Sequence, residues 1–393
     1  MRPRGALVPV GPPLSPQRLA RYSRQLALPG FDEDAQRRLA AARVLVIGAG
    51  GLGSATIPYL ASAGVGTIGV VDTDVVELSN LHRQTAHGMA DIGRSKLDSI
   101  RDTVNAIDPE IRVELHPEHL DSNNILGILA NYDLLLDGSD NFPTRYLAND
   151  AAAISGTPLV WGAILRYHGQ VSVAWAERGP TYRDLFPSPP APGTVPSCAD
   201  GGVLPSVCAV IGAIMCSEAI KLITGIGEPL IGSVTTYDAL SGTFRDIAYG
   251  RSEDAAPITE LIDYDVFCGT ISHDDSETPR DAASGTENHD VVDSVALSRM
   301  LERGEPLQLV DIREPFERAI AIIEPSDFIP LGSLRGRLDE IRKDVPVVLY
   351  CHHGVRSEVA LRMLRECGFD NVRHLAGGID AYSATADREL ARY

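Results

Sequence analysis

The sequence predicts an α/β protein: a doubly wound, mostly parallel sheet with an antiparallel extension, followed by a smaller α/β domain. Three observations predict it. Short apolar runs alternate with helical patterns as far as residue 161. Beyond Gln170 strand-like runs follow without that alternation, which suits antiparallel pairing. The stretch 273–288, HDDSETPRDAASGTEN, is polar and acidic like a linker, and a second alternation begins after it.

Residues 1–14 hold Pro3, Pro9, Pro12 and Pro13 and no apolar run long enough for a signal peptide, so a flexible N-terminal arm is expected. Strands are expected over Arg43–Ile47, 67–72, 112–115, 133–137 and 159–161, then over 170–174, Ser233–Asp238 and 243–247. The apolar stretch 203–224 is interrupted by Ser206, Ser217, Glu218 and Lys221 and reads as a core helix, not a membrane span. The first domain is assigned to 15–249, a linker to 250–288 and the second domain to 289–393. In the second, strands are expected over 307–311, 346–350 and Val372–Leu375, with an amphipathic helix over 357–367.

At 393 residues, two domains are the natural expectation. The balance of 53 acidic against 35 basic residues argues against a nucleic-acid partner. Six cysteines make no disulfide framework in so long a chain, and with no leader the expected compartment is the reducing cytoplasm.

The first strand runs into Gly48-Ala49-Gly50-Gly51-Leu52-Gly53 and then a helix. Such glycines bring backbone N–H groups within contact of a phosphate at a helix N-terminus, in a Rossmann-like arrangement. Asp72 ends the next strand, about 20 residues on, where it can hold ribose hydroxyls. By itself this pattern suits a nicotinamide-dependent oxidoreductase equally well. The next groups separate the two. Ser79-Asn80-Leu81-His82-Arg83-Gln84 and Lys96 follow, then Gly138-Ser139-Asp140-Asn141 at a strand end. Arg83 and Lys96 are expected to meet β- and γ-phosphates, and Asp140 to hold Mg²⁺. Hydride transfer needs neither, whereas expulsion of pyrophosphate needs both.

From about Ser15 to Tyr249 the sequence resembles the MoeB/ThiF adenylyltransferases, bacterial relatives of ubiquitin-activating enzymes. The resemblance rests on Arg21-Tyr22-Ser23-Arg24-Gln25, the GAGGLG turn, SNLHRQ, Lys96, SDNFPTR ending at Arg145, Gly162-Ala163-Ile164 and Pro196-Ser197-Cys198-Ala199-Asp200-Gly201-Gly202. It implies ATP and Mg²⁺ as cofactors, and a homodimer in which Arg24 reaches the partner's ATP site. The implied substrate is the C-terminal Gly-Gly carboxylate of a ubiquitin-like sulfur carrier. It also implies that Cys198, in a Pro- and Gly-rich loop, takes part in acyl or disulfide exchange. Many relatives hold zinc with two C-x-x-C pairs. Here the first is Thr181-Tyr182-Arg183-Asp184 and the second keeps only Cys268, so no zinc is expected. Cys208 and Cys216 read as small core residues.

The second chemical centre is Tyr350-Cys351-His352-His353-Gly354-Val355-Arg356-Ser357. A thiol on a strand-to-helix turn faces free N–H groups and the positive end of a helix, which favours an anionic sulfur. Arg356 is expected to add a fixed positive charge. The C-x4-R spacing is one residue shorter than the C-x5-R loop of tyrosine-type phosphatases, and suits a persulfide sulfur better than a phosphate. With Val310-Asp311-Ile312-Arg313-Glu314, Ile329-Pro330 and Leu375-Ala376-Gly377-Gly378-Ile379, the region resembles a rhodanese domain. The usual Gly-His-Ile segment is replaced by Ala319-Ile320-Ala321-Ile322-Ile323. His352 and His353 are expected to line the loop, and Cys367 to be buried.

Joined, the two centres resemble the MoeZ-type adenylyltransferase/sulfurtransferase fusions. Adenylation makes the carrier carboxylate electrophilic, the Cys351 persulfide attacks it, and reduction releases a thiocarboxylate. The linker would raise the effective concentration of one domain for the other. A cysteine desulfurase or thiosulfate is the expected sulfur donor, and neither membrane nor nucleic acid is an expected partner. A nicotinamide oxidoreductase fused to a phosphatase-like module and a non-catalytic scaffold for sulfur carriers are the alternatives.

Overall fold

The computed structural model describes residues 5–190, 201–253, 257–269 and 290–392, which fall into two units, Met1–Ser276 and Glu277–Tyr393. In the first, β1 (Arg43–Ile47), β2 (Thr67–Val71), β3 (Arg112–His116), β4 (Leu134–Asp137) and β5 (Leu159–Leu165) run parallel in the order β3-β2-β1-β4-β5. Every residue of β2 and β4 is buried, as continuous apolar runs covered on both faces require. Then β6 (His168–Ala174), β7 (Ser233–Asp238) and β8 (Thr243–Ala248) extend the sheet antiparallel.

Strand order reverses between β1 and β4. Connections leave these two strands toward opposite faces, which opens a crevice at their carboxyl ends. There the loops touch: Gly138 N–H donates to Ile47 O at 3.0 Å. The helix Pro205–Thr224 has the length and apolarity to cross a membrane. It packs instead on the helix Gly51–Ala63 and on β5 and β6, and its buried Glu218 accepts from Leu230 N–H at 2.8 Å.

Two assignments from composition are corrected. The arm expected to be flexible is docked from Ala6 onward. Val8 is buried, Leu7 N–H donates to Leu222 O at 3.0 Å, and Arg37 Nε donates to Gly11 O at 2.9 Å. Prolines keep this segment out of helix, and its carbonyls at Val8 and Gly11 accept from Arg38 and Arg37 of the helix Glu33–Ala41. Residues 257–269, given to the linker, belong to the first core: Asp263 caps the helix Tyr264–Phe267, and Tyr264 and Cys268 are buried. Of the rest of that segment, 254–256 and 270–288 lie outside the described residues.

The second unit is a parallel sheet of β9 (Val291–Val292), β10 (Gln308–Asp311), β11 (Asp327–Phe328), β12 (Val347–Tyr350) and β13 (Val372–Leu375) in the order β11-β10-β12-β13-β9. Along β12, Val347 and Leu349 enter one apolar cluster while Val348 and Tyr350 enter the other, the period-two alternation of a strand. Two-residue β9 and β11 are too short to leave a periodic signal.

Candidate functional site

The glycine turn sits in the crevice. Gly48 has φ +87°, and a Cβ on Gly53 would stand 1.9 Å from Gly48 O, so the helix Gly51–Ala63 can start this close only without a side chain there. The turn is braced from three sides. Asp72 Oδ2 accepts from Ala49 N–H at 2.8 Å, the His87 ring meets Ala49 O at 2.9 Å, and Cys208 Sγ lies beneath Gly51. Gln84 is buried beside Gly50, and its Oε1 has no hydrogen-bond partner among the described residues. Asp72 therefore shapes the turn, a role its position in the sequence did not reveal.

The expected phosphate cations are engaged. Lys96, at the start of the helix Lys96–Ile107, is buried and its Nζ lies 2.7 Å from Asp74 Oδ2. Asp74 is exposed, so solvent screens the pair. Arg83 Nη1 donates to Ser79 O at 3.1 Å and to His82 Nε2 at 2.9 Å. Burial and the neighbouring Arg83 hold the His82 pKa below its usual value, which suits this acceptor role. Asn80 is buried and its Oδ1 receives Glu77 N–H, which shapes the turn that carries Leu81. Arg24 is exposed on the helix Ser23–Leu26.

After β4, Asp140 is exposed at the strand end, while Asn141 Oδ1 caps the helix Phe142–Ser155 by accepting from Thr144 N–H at 2.9 Å. Asn141, expected to bind nucleotide, thus has one oxygen committed to the backbone. Sequence reasoning passed over Asp137 and Arg145. Asp137 is fully buried and its Oδ1 receives Ser139 N–H. Oδ2, without a hydrogen-bond partner among the described residues, lies 3.6 Å from Arg145 Nε. Burial pushes the Asp137 carboxyl up, against the pull of Arg145. Arg145 Nη2 donates to Ser139 O at 2.7 Å and to Gly162 O at 3.1 Å, which ties the loop of Asp140 to β5. The signal was present in the SDNFPTR run: an arginine one helical turn past a loop can reach back to it.

Between the segments around Thr181 and Cys268 this chain has a polar clasp. Arg183 meets buried Asp150 with two bonds of 2.8 and 2.7 Å, and Tyr264 donates to the same carboxylate at 2.7 Å. Arg183 also lies over the Phe267 ring at 4.7 Å. The clasp joins the segments around Thr181 and Cys268. Removing one partner of a buried pair strands the other. Arg183→Ala is expected to cost the first unit about 3 kcal/mol, measured as a fall in its thermal unfolding temperature; an unchanged temperature would show the clasp to be idle. Cys216 is buried, which pushes its thiol up to about 12, and Cys208 is buried too, as their apolar helix suggested. Cys198 lies outside the described residues.

Cys351 follows β12 and is buried at 1 % exposure. Gly354 N–H donates to its Sγ at 3.1 Å, and Ser357 Oγ lies 3.6 Å from the sulfur. The Gly377-Gly378 turn orients this loop. Ile379 N–H donates to Cys351 O at 2.9 Å and Asp380 N–H to His352 O at 3.1 Å, which turns the carbonyls outward. A Cβ on Gly378 would stand 2.2 Å from His352 O. Burial, then the adjacent His353, lower the His352 pKa to about 4, so it is neutral near pH 7 and lines the loop against His353. Arg356 differs from expectation: it is not a bare cation but the partner of Glu317, at 2.7 Å through each Nη. Cys367, expected to be buried, is exposed because the helix Val355–Glu366 ends on it.

A family model described as the ThiF family matches residues 22–257, more than half of the chain. The chain belongs to the ThiF family. A second model, the Rhodanese-like domain, matches residues 294–385. The chain is similar to the "Probable adenylyltransferase/sulfurtransferase MoeZ" of Mycobacterium tuberculosis, 48% identical over 97% of this chain and 96% of that protein. It is 39% identical to the "Adenylyltransferase and sulfurtransferase MOCS3" of Drosophila grimshawi, over 97% of this chain and 87% of that one. The "Sulfur carrier protein adenylyltransferase" of Thermus thermophilus is 48% identical over 64% of this chain and 97% of its own length. The crystal structure of E. coli MccB with MccA-N7isoASN shares the fold, with TM-score 0.54 and 21% identity over 61% of this chain and 74% of that one. This ThiF-family chain is thus an enzyme that combines an adenylyltransferase domain with a rhodanese-type sulfurtransferase domain.

Proposed function

We propose that the protein adenylates the C-terminal Gly-Gly carboxylate of a small ubiquitin-like sulfur carrier with Mg-ATP, then uses a Cys351 persulfide to convert it to a thiocarboxylate. The observation that carries this reading is the buried Cys351 sulfur, held by Gly354 N–H on the same chain as a glycine-lined nucleotide crevice. The carrier carboxylate attacks the α-phosphate of ATP and pyrophosphate leaves. The outer sulfur of Cys351–S–S⁻ then attacks the acyl carbonyl and AMP leaves. A second thiol cleaves the resulting acyl disulfide at Cys351 Sγ and frees the thiocarboxylate. Cys198 is our candidate for that thiol. A cysteine desulfurase or thiosulfate supplies the sulfur in the cytoplasm, and Arg24 serves the partner's ATP site in a homodimer.

The residues at the end of β4 suit Mg²⁺. Exposed Asp140 and Asp137 Oδ2, which has no hydrogen-bond partner among the described residues and lies 3.6 Å from Arg145 Nε, are hard oxygen donors beside the glycine turn, and this cation takes one or two carboxylates alongside phosphates. When bound, it would offset charge on the β- and γ-phosphates. Asp140→Ala is expected to reduce carrier-dependent ATP–pyrophosphate exchange about a thousandfold, with sulfur loading of Cys351 retained. Exchange that persists in this variant, or that proceeds without a Gly-Gly-ending carrier, overturns the assignment.

A further inference from the structure

Arg356 closes the Cys351 loop, yet both its Nη groups donate to Glu317, whose side chain is 5% exposed. Glu317 reaches it from the helix Pro315–Ile320, where the same carboxylate accepts Glu314 N–H at 2.9 Å. Burial pushes the Glu317 carboxyl up, but its bonds from Arg356 and Glu314 outweigh that and hold it below the usual carboxylate range. The carboxylate is therefore charged at neutral pH and cancels the arginine. The groups that contact the sulfur are Gly354 N–H and the Ser357 hydroxyl, at the start of the helix Val355–Glu366. His352, the next residue along the loop, is neutral, and Asp380 and Glu317 both lie close enough to act on it.

From this geometry we infer that Glu317 is a specificity-determining residue: by occupying Arg356 it makes the Cys351 loop accept sulfur from singly charged persulfides in preference to the thiosulfate dianion. The inference rests on the reading of Cys351 as a sulfur carrier. With a persulfide donor, the Cys351 thiolate attacks the outer sulfur of R–S–S⁻, an S–S bond forms, the donor's S–S bond breaks and R–S⁻ leaves. With thiosulfate the same attack expels sulfite, which departs with the electron pair. The thiolate, the bonds and the product are shared. The donors differ in charge, and the sulfonate of thiosulfate is where a bare guanidinium would bind.

The test compares wild-type and Glu317→Gln full-length chains, with cyanide as the sulfur acceptor and either thiosulfate or cysteine persulfide as donor. Removing one negative charge beside Arg356 is expected to lower KM for thiosulfate about tenfold and to leave KM for cysteine persulfide within about twofold. Glu317→Asp, which keeps the charge, is expected to retain the wild-type preference. An equal change with both donors, loss of both activities included, overturns the role of Glu317. A wild-type chain on which neither donor adds the mass of one sulfur to Cys351 would instead overturn the sulfur-carrier reading.

Discussion

Cys351→Ala is expected to abolish carrier thiocarboxylate formation while carrier-dependent ATP–pyrophosphate exchange stays within about twofold of wild type. The sulfur is the group that Gly354 N–H and the Gly377-Gly378 turn are arranged to present, and alanine offers neither nucleophile nor anion. The surrounding packing changes little, because Cys351 is a small side chain in the apolar cluster that also holds Leu349 and Ala360. The two units have separate apolar cores, so a defect in the second leaves the nucleotide turn of the first intact. Mass spectrometry of the carrier reads the first effect, as the gain of one sulfur in place of one oxygen. Isotope exchange reads the second. Equal loss of both activities contradicts the division of labour.

Gly53→Ala is the corresponding expectation for the first unit. The new Cβ would lie 1.9 Å from Gly48 O, a backbone atom with no flexible side chain to yield. Either the turn opens or the helix Gly51–Ala63 withdraws, and both remove N–H groups from the phosphate path. A loss of ATP affinity of about 100-fold, near 3 kcal/mol, is expected, measured by titration calorimetry. Gly5→Ala, where nothing stands within 4 Å, serves as the control. Unchanged affinity in Gly53→Ala would mean that the nucleotide does not use this turn.

The strands that carry the chemistry were legible because each is a local apolar run meeting a local break. β1 runs into glycines, β4 into Ser139 and Asp140, and β12 into Cys351. Neighbouring residues along the chain stay neighbours in the fold, so the order of these motifs carried over unchanged. The docked arm at Leu7 and Val8 was not legible, because its prolines and glycines break every apolar run as in a loose tail and its binding surface is formed by Leu222 and the arginines after Glu33. Similarly, 257–269 reads as linker until Tyr264 is seen to reach Asp150, 114 residues earlier.

The sequence by itself determined the two strand-to-helix turns, after β1 and after β12, whose backbone N–H groups suit an anion, because such turns depend on glycine and on the adjacent helix. Tertiary structure alone decided what the charged side chains around those turns do. Lys96 meets Asp74 across 22 residues, Arg183 meets Asp150 across 33, and Arg356 meets Glu317 across 39. A cation and a carboxylate pair wherever folding brings them together, and the more completely they are buried the less water screens them. A cysteine that looked backed by a free arginine is therefore backed by backbone dipoles and a neutral ion pair.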